Sequence, residues 1–136
     1  MTDHYILDAS ICLALLFNDN PLQNIKAKRF FRQVESSIFK ADLSLLTLND
    51  LIISIEKMYD LNRRQYMMEL RDLVSLKGIR IIEIKKFDCL HLLRKYEKNH
   101  LTFTDTYLLW LSEKQKLTLM TVNRRLENYC SSSSKL

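Results

Sequence analysis

Residues 5–16, with the sequence YILDASICLALL, join an extended apolar run to a helical run through one acidic residue, Asp8. We predict a strand over His4–Asp8 and a helix over Ala9–Phe17, because the composition of the second run favours a helix. A strand that passes directly into a helix can begin a crossover, which returns the chain so that the next strand pairs in parallel. The opening of the chain therefore predicts an α/β fold.

Strands and helices continue to alternate along the rest of the chain. We predict one domain over residues 1–130, with a mostly parallel sheet of four to five strands flanked by helices. A polar, disordered tail is predicted over residues 131–136. The other predicted strands are Leu43–Leu46, Ile79–Ile84 and Leu117–Val122, and the other predicted helices cover residues 21–37, 47–59, 63–76, 87–99, 103–116 and 123–129.

Composition excludes several classes of protein. The single glycine, Gly78, rules out a Gly-rich dinucleotide or triphosphate loop, and we expect it to end a helix in the left-handed conformation. Neither a signal peptide nor a membrane span is predicted, and unpaired cysteines indicate a reducing compartment, so we expect a cytoplasmic protein. Cys12 and Cys89 are predicted to be small core residues. The net charge of +5 is compatible with a polyanionic partner.

Polar residues occupy the predicted junctions between strands and helices. Ligands of open parallel sheets bind outside the carboxyl ends of the strands, so these junctions are candidate positions for chemistry. The alternative is structural, because Thr47-x-x-Asp50 and Thr102-x-x-Asp105 also resemble capping boxes. The four junctions are Asp8-Ala9-Ser10, Thr47-Leu48-Asn49-Asp50, Thr102-Phe103-Thr104-Asp105 and Thr121-Val122-Asn123.

The order of these junctions resembles the PIN domain, the metal-dependent ribonuclease fold found in VapC-type toxins of toxin–antitoxin pairs. The resemblance covers nearly the whole chain. Two positions depart from the family pattern: Asp50 stands where Glu is usual, and Asn123 stands where Asp is usual. The matching segments are residues 5–16, 45–52, 103–108 and 117–123.

The resemblance implies an endoribonuclease that depends on Mg²⁺ or Mn²⁺, with Asp8, Asp50, Asp105 and Asn123 as catalytic residues. Carboxylates without His or Cys suit these hard ions. Asp8 is expected to be the central metal ligand, and Asp105 and Asp50 are expected to complete the site. Ser10 and Thr121 are expected to bind water or substrate phosphate, and Arg124 and Arg125 are candidate RNA contacts.

The resemblance also implies partners: an RNA substrate, a cognate antitoxin protein and a second copy of the chain in a homodimer. A catalytically weakened PIN-like module that binds RNA or protein remains the alternative, favoured by Asn123. A receiver-like phosphoacceptor is a second alternative, although it requires adjacent acids where Ala9 and Ser10 follow Asp8. The terminal Ser134-Lys135-Leu136 matches a peroxisomal signal, which we treat as a chance match.

Overall fold

A computed structural model describes residues 3–130, without the side chain of Cys130; the predicted tail over 131–136 lies outside the described residues. Within that range, seven helices and four strands alternate, and all strand pairs are parallel. The α/β prediction is confirmed. The elements are β1 Asp3–Leu7, α1 Ala9–Leu16, α2 Pro21–Glu35, β2 Phe39–Ser44, α3 Leu45–Tyr59, α4 Arg63–Val74, β3 Ile79–Ile82, α5 Lys86–Glu97, α6 Phe103–Gln115, β4 Thr118–Met120 and α7 Arg124–Cys130.

The strand order β3-β2-β1-β4 places β1 inside the sheet, between β2 and β4. In register, Ile6 lies beside Asp42 of β2, and Leu7 lies beside Met120 of β4. The backbone N–H of Asp8 extends this pairing by donating to the carbonyl of Met120 at 3.0 Å. The chain segments that follow β1 and β4 therefore leave the sheet side by side.

Side chains alternate between two cores on opposite faces of the sheet, because successive residues of a strand point to opposite faces. Leu7 of β1 packs with α1–α4 on one face, whereas Ile6 packs with α5–α7 on the other. The result is a helix–sheet–helix sandwich. No helix within residues 3–130 combines the length and apolarity needed to cross a bilayer.

Asp42 is a carboxylate buried in the middle of the sheet, with 0% exposure. It accepts two hydrogen bonds from Arg80, Nε at 3.0 Å and a terminal guanidinium nitrogen at 2.8 Å. The His4 ring Nε2 lies 2.7 Å from the same carboxylate. These contacts join β1, β2 and β3, and they compensate the charge that burial would otherwise disfavour.

The predicted bounds of β2 and α3 were wrong. We expected a strand over Leu43–Leu46, but β2 covers Phe39–Ser44 and α3 begins at Leu45. Ser44 caps α3 by accepting a hydrogen bond from the Thr47 backbone N–H at 3.1 Å, so the predicted Thr47–Asp50 capping box is absent. The error arose because the apolar run straddles the junction, while the polar Asp42 obscures the preceding strand.

We expected Gly78 to end a helix in the left-handed conformation, but it does not. The structure gives it no positive φ, and Ser75 follows α4 as its C-terminal cap. A Cβ at position 78 would lie 2.5 Å from the Phe39 carbonyl oxygen and 2.6 Å from that of Val34. Gly78 is therefore required by the close approach of three backbone segments.

The substitution Gly78→Ala is expected to lower the free energy of unfolding by about 1–3 kcal/mol, because backbone atoms must move apart to admit a methyl group. Urea unfolding measures the change. Lys77→Ala, at an exposed neighbouring position, is the control and should have little effect. Equal stability of Gly78→Ala and the wild type would contradict the proposed close packing.

Candidate active site

Asp8 lies at the junction between β1 and α1, where its extended backbone makes it the N-cap of α1. Its carboxylate is buried, with 6% exposure. Oδ2 accepts three hydrogen bonds: from the Ser10 backbone N–H at 3.2 Å, the Ser10 hydroxyl at 2.6 Å and the Thr121 hydroxyl at 2.7 Å. All three donors converge on one oxygen, which leaves Oδ1 as the oxygen with capacity for a further partner.

The Ser10 and Thr121 hydroxyls join this carboxylate to the loop after β4. Ser10 Oγ accepts from the Val122 backbone N–H, and Thr121 Oγ1 accepts from the Asn123 backbone N–H, each at 3.0 Å. The two hydroxyl oxygens also lie 2.9 Å from each other, and each hydroxyl is placed to donate its one proton to Asp8. We expected these hydroxyls to bind water or phosphate, whereas the structure shows them fixing the position of Asp8.

The three acids and Asn123 line one open cavity of about 340 Å³. Asp50 reaches it from the second turn of α3 and Asp105 from the first turn of α6, while Asn123 comes from the loop after β4. The structure thus brings together the four residues that the sequence singled out. Asp50 does so from inside a helix and not from the strand–helix junction that we expected.

The electrostatics of Asp105 show that the acids are close enough to interact. Burial raises the pKa of its carboxyl, and the negative charge of Asp8 raises it further. Asp50 adds a smaller increase, while a hydrogen bond from Thr102 and the positive charge of Arg125 lower it. Simultaneous ionisation of the three carboxyl groups is therefore unfavourable, as expected for like charges that share a site.

Asn123 lies beside the cavity and also begins α7. Its side-chain oxygen accepts a hydrogen bond from the Arg125 backbone N–H at 3.0 Å, and its carbonyl accepts one from Glu127 at 2.9 Å. The side-chain oxygen therefore satisfies a donor that the first turn of a helix would otherwise leave without a partner. This structural role accounts for a short polar side chain here.

The two arginines that follow Asn123 are exposed. Arg125 donates a hydrogen bond to the His100 carbonyl at 3.4 Å, and its charge reaches Asp105. Arg124 is the first residue of α7. Both cations flank the cavity without entering its lining.

Cys12, one turn into α1, is buried with 0% exposure, which confirms its predicted place in the core, whereas Cys89 on α5 is only half-buried and its predicted place in the core was wrong. Burial raises the pKa of the Cys12 thiol strongly, and the nearby charge of Asp8 adds to the increase. A thiol of raised pKa is a poor nucleophile because the thiolate is the reactive form. Cys12 therefore contributes packing beneath the cavity and no chemistry.

The donor atoms of the cavity are those that Mg²⁺ and Mn²⁺ prefer, since they are carboxylate, hydroxyl and amide oxygens. Among the described residues, however, no group of three or more His, Cys, Asp or Glu side chains is arranged to hold an ion together. Mg²⁺ commonly keeps several waters and takes only one or two carboxylates directly. The donor atoms therefore fit a hydrated ion that would contact few of the acids directly.

Sequence reasoning missed two residues of α3 that line the cavity, Ile53 and Ser54. Both lie on the same face of α3 as Asp50, three and four residues further along the chain. The helical spacing i, i+3, i+4 is the signal that identifies them. Leu13 of α1 also lines the cavity and was not singled out.

Comparison with known proteins identifies the family. The PIN domain model matches residues 5–131. The crystal structure of PAE2754 from Pyrobaculum aerophilum is similar to 94% of this chain and 85% of that chain, with a TM-score of 0.64 and 22% sequence identity, a likeness of fold. No curated protein matches. Members of this family are in general metal-dependent nucleases that use divalent ions such as Mg²⁺. With a match across nearly its whole length, the chain belongs to the PIN domain family.

Proposed function

We propose that this PIN domain is an endoribonuclease that depends on Mg²⁺ or Mn²⁺. The observation that carries the proposal is the cavity lined by Asp8, Asp50, Asp105 and Asn123, where the pKa of Asp105 responds to both other acids. Such a concentration of negative charge destabilises the folded chain unless a cation compensates it. The receiver-like phosphoacceptor is set aside, because the chain belongs to another family.

Asp8 is the proposed central ligand, with Asp50 and Asp105 completing the negative shell. When bound, Mg²⁺ or Mn²⁺ supplies a water of lowered pKa and compensates charge on the phosphate in the transition state. Ser10 and Thr121 hold Oδ2 of Asp8, so Oδ1 is offered to the ion in a fixed position. With an ion and RNA bound, Asp50 and Asp105 would accept hydrogen bonds from waters in the cavity.

The proposed RNA contacts are Arg124 and Arg125, which attract the phosphate backbone to a cavity that would otherwise repel it. Arg125 is placed to do so because its charge already acts on Asp105. A polyanion held by such contacts is released as salt rises.

The biological role that we propose is that of a toxin in a toxin–antitoxin pair, acting in the cytoplasm as a homodimer with a cognate antitoxin protein. The support is the order of the four motifs, which resembles VapC-type toxins. Exposed Phe87, Leu90 and Leu93 on α5 offer apolar area for association.

Two experiments test this role. Expression of the chain should arrest growth, and co-expression of the neighbouring gene should relieve the arrest. Analytical ultracentrifugation tests whether the chain is a dimer.

A second candidate is a PIN-like module that binds RNA or protein with weakened catalysis. The observation that favours it is Asn123, which brings no charge to the cavity and gives its oxygen to the start of α7. The two candidates differ in whether added Mn²⁺ stimulates cleavage.

Asp8→Asn is expected to reduce Mn²⁺-stimulated RNA cleavage by more than about 100-fold, because it removes the charge of the central ligand. The fold should persist, since the amide oxygen can still accept the hydrogen bonds of Ser10 and Thr121. Cleavage of a labelled RNA and thermal melting are the measurements. Asp72→Asn, an exposed acid on α4 outside the cavity, is the matched control. Cleavage that survives in Asp8→Asn or in EDTA rejects the proposed mechanism.

Asp105→Asn is expected to raise the melting temperature in EDTA at pH 7 by about 2 °C. A carboxyl whose pKa is raised by folding opposes folding once it ionises, so the destabilisation is complete above the raised pKa. Below the ordinary value of 3.8 both states are protonated and this contribution vanishes. Melting curves from about pH 4 to pH 8 test the sign; a variant that melts lower than the wild type at pH 7 contradicts it.

Asn123→Asp is expected to lower the melting temperature in EDTA by a few °C, because it adds a charge to a crowded edge. Asp and Asn cap helices about equally, so the bond to Arg125 should persist and charge is the variable tested. In Mn²⁺ the deficit should shrink or reverse, and cleavage should be maintained or raised. Equal shifts in EDTA and Mn²⁺ would place position 123 outside the site.

A further inference from the structure

A second groove of about 310 Å³ adjoins the acidic cavity. Ser10, Leu13 and Asn123 line both spaces, so a ligand that occupies one extends directly into the other. The groove runs from these shared residues to the ends of α1 and α3 and the start of α2.

The far wall of this groove is an aromatic pair. The rings of Phe17 and Tyr59 are stacked with centroids 3.8 Å apart and planes inclined by 6°. The Tyr59 hydroxyl donates to the Asp19 carboxylate. Burial and this contact raise the pKa of Tyr59 to about 12, so the hydroxyl keeps its proton and the ring stays anchored. The pair is a fixed apolar surface in a protein whose neighbouring cavity is charged.

The remaining lining suits a neutral planar group better than a phosphate. Among the residues that the structure describes, no Lys or Arg lines the groove, and Asp19 is the one charged residue there. Gln23 adds a side-chain amide, and Asn20 adds the amide nitrogen of a side chain whose oxygen already accepts the Gln23 backbone N–H at 3.1 Å to cap α2. Met58, which is 60% exposed, adds a flexible thioether. Amides recognise the hydrogen-bonding edges of bases, and aromatic rings stack on base faces.

We infer that the groove is a subsite for one unpaired nucleobase of single-stranded RNA, stacked on the Phe17–Tyr59 pair beside the phosphate that the acids act on. The inference rests on the proposed function for its substrate. A base inside a duplex cannot reach the aromatic wall without leaving its stack, so the groove selects single strands. Amides at Asn20 and Gln23 then favour particular bases at this one position.

The test measures binding of RNA to the full chain in EDTA, so that cleavage does not enter the result. The probes are single-stranded RNAs of ~12 nucleotides, each with one abasic position, together with the intact strand and its duplex. An abasic substitution at one position should weaken binding to the wild type about tenfold, since stacking supplies the lost affinity.

Tyr59→Leu and Phe17→Leu should each weaken binding of the intact strand about tenfold, and the abasic penalty should then disappear, because the two changes remove the same contact. Met68→Leu is the control; its side chain is 72% exposed on α4, lines neither the cavity nor the groove, and its replacement should leave binding unchanged. Melting curves verify that each variant is folded. Leucine is used because it keeps more apolar volume than alanine would.

Three outcomes overturn the subsite: an abasic penalty that persists in folded Tyr59→Leu, equal penalties at every position, or duplex binding that matches single-strand binding. Failure of the proposed function is separate, because it is detected by cleavage that survives in Asp8→Asn. A stacking penalty that depends on Tyr59 in EDTA supports the subsite whatever the result of the cleavage assay.

Discussion

A single buried carboxylate, that of Asp8, connects the elements whose ends form the site. Its Oδ2 accepts hydrogen bonds from α1 and from the end of β4, and the two donor hydroxyls are themselves fixed by backbone N–H groups of the following loop. The parallel pairing of β1 with β4 is what makes this geometry possible. The position of the proposed metal ligand is thus set by the same contacts that end two strands.

The site divides into a charged part and a neutral part, and both are consequences of the helix ends that meet there. Asp8 caps α1 and Asp105 lies in the first turn of α6, where a helix tolerates negative charge, whereas Asp50 comes from the second turn of α3. Phe17 and Tyr59 lie at the ends of α1 and α3, where the apolar faces of the two helices reach the edge of the core. A strand of RNA likewise has charged phosphates next to neutral bases, so its two kinds of group correspond to the two parts of the site.

The sequence predicted the parallel sheet and the four residues of the cavity, because short apolar runs that end in polar residues mark strand ends in a parallel fold. It misplaced β2, since Asp42 interrupts the apolar pattern and is stabilised by His4 and Arg80, which are distant in sequence. The Phe17–Tyr59 groove was not predicted for a related reason. Stacking between residues at the ends of two helices leaves no periodic signal.

Cys12 makes local opening around α1 measurable. Its thiol is fully buried one helical turn after Asp8, and its raised pKa keeps it protonated. An alkylating reagent therefore reacts at Cys12 only when local opening exposes its thiol, so the labelling rate at that residue, measured separately from the half-buried Cys89, reports the frequency of opening. A ligand that binds Asp8 should stabilise this region and lower the rate at which Cys12 is alkylated. The labelling rate would then report whether the cavity is occupied.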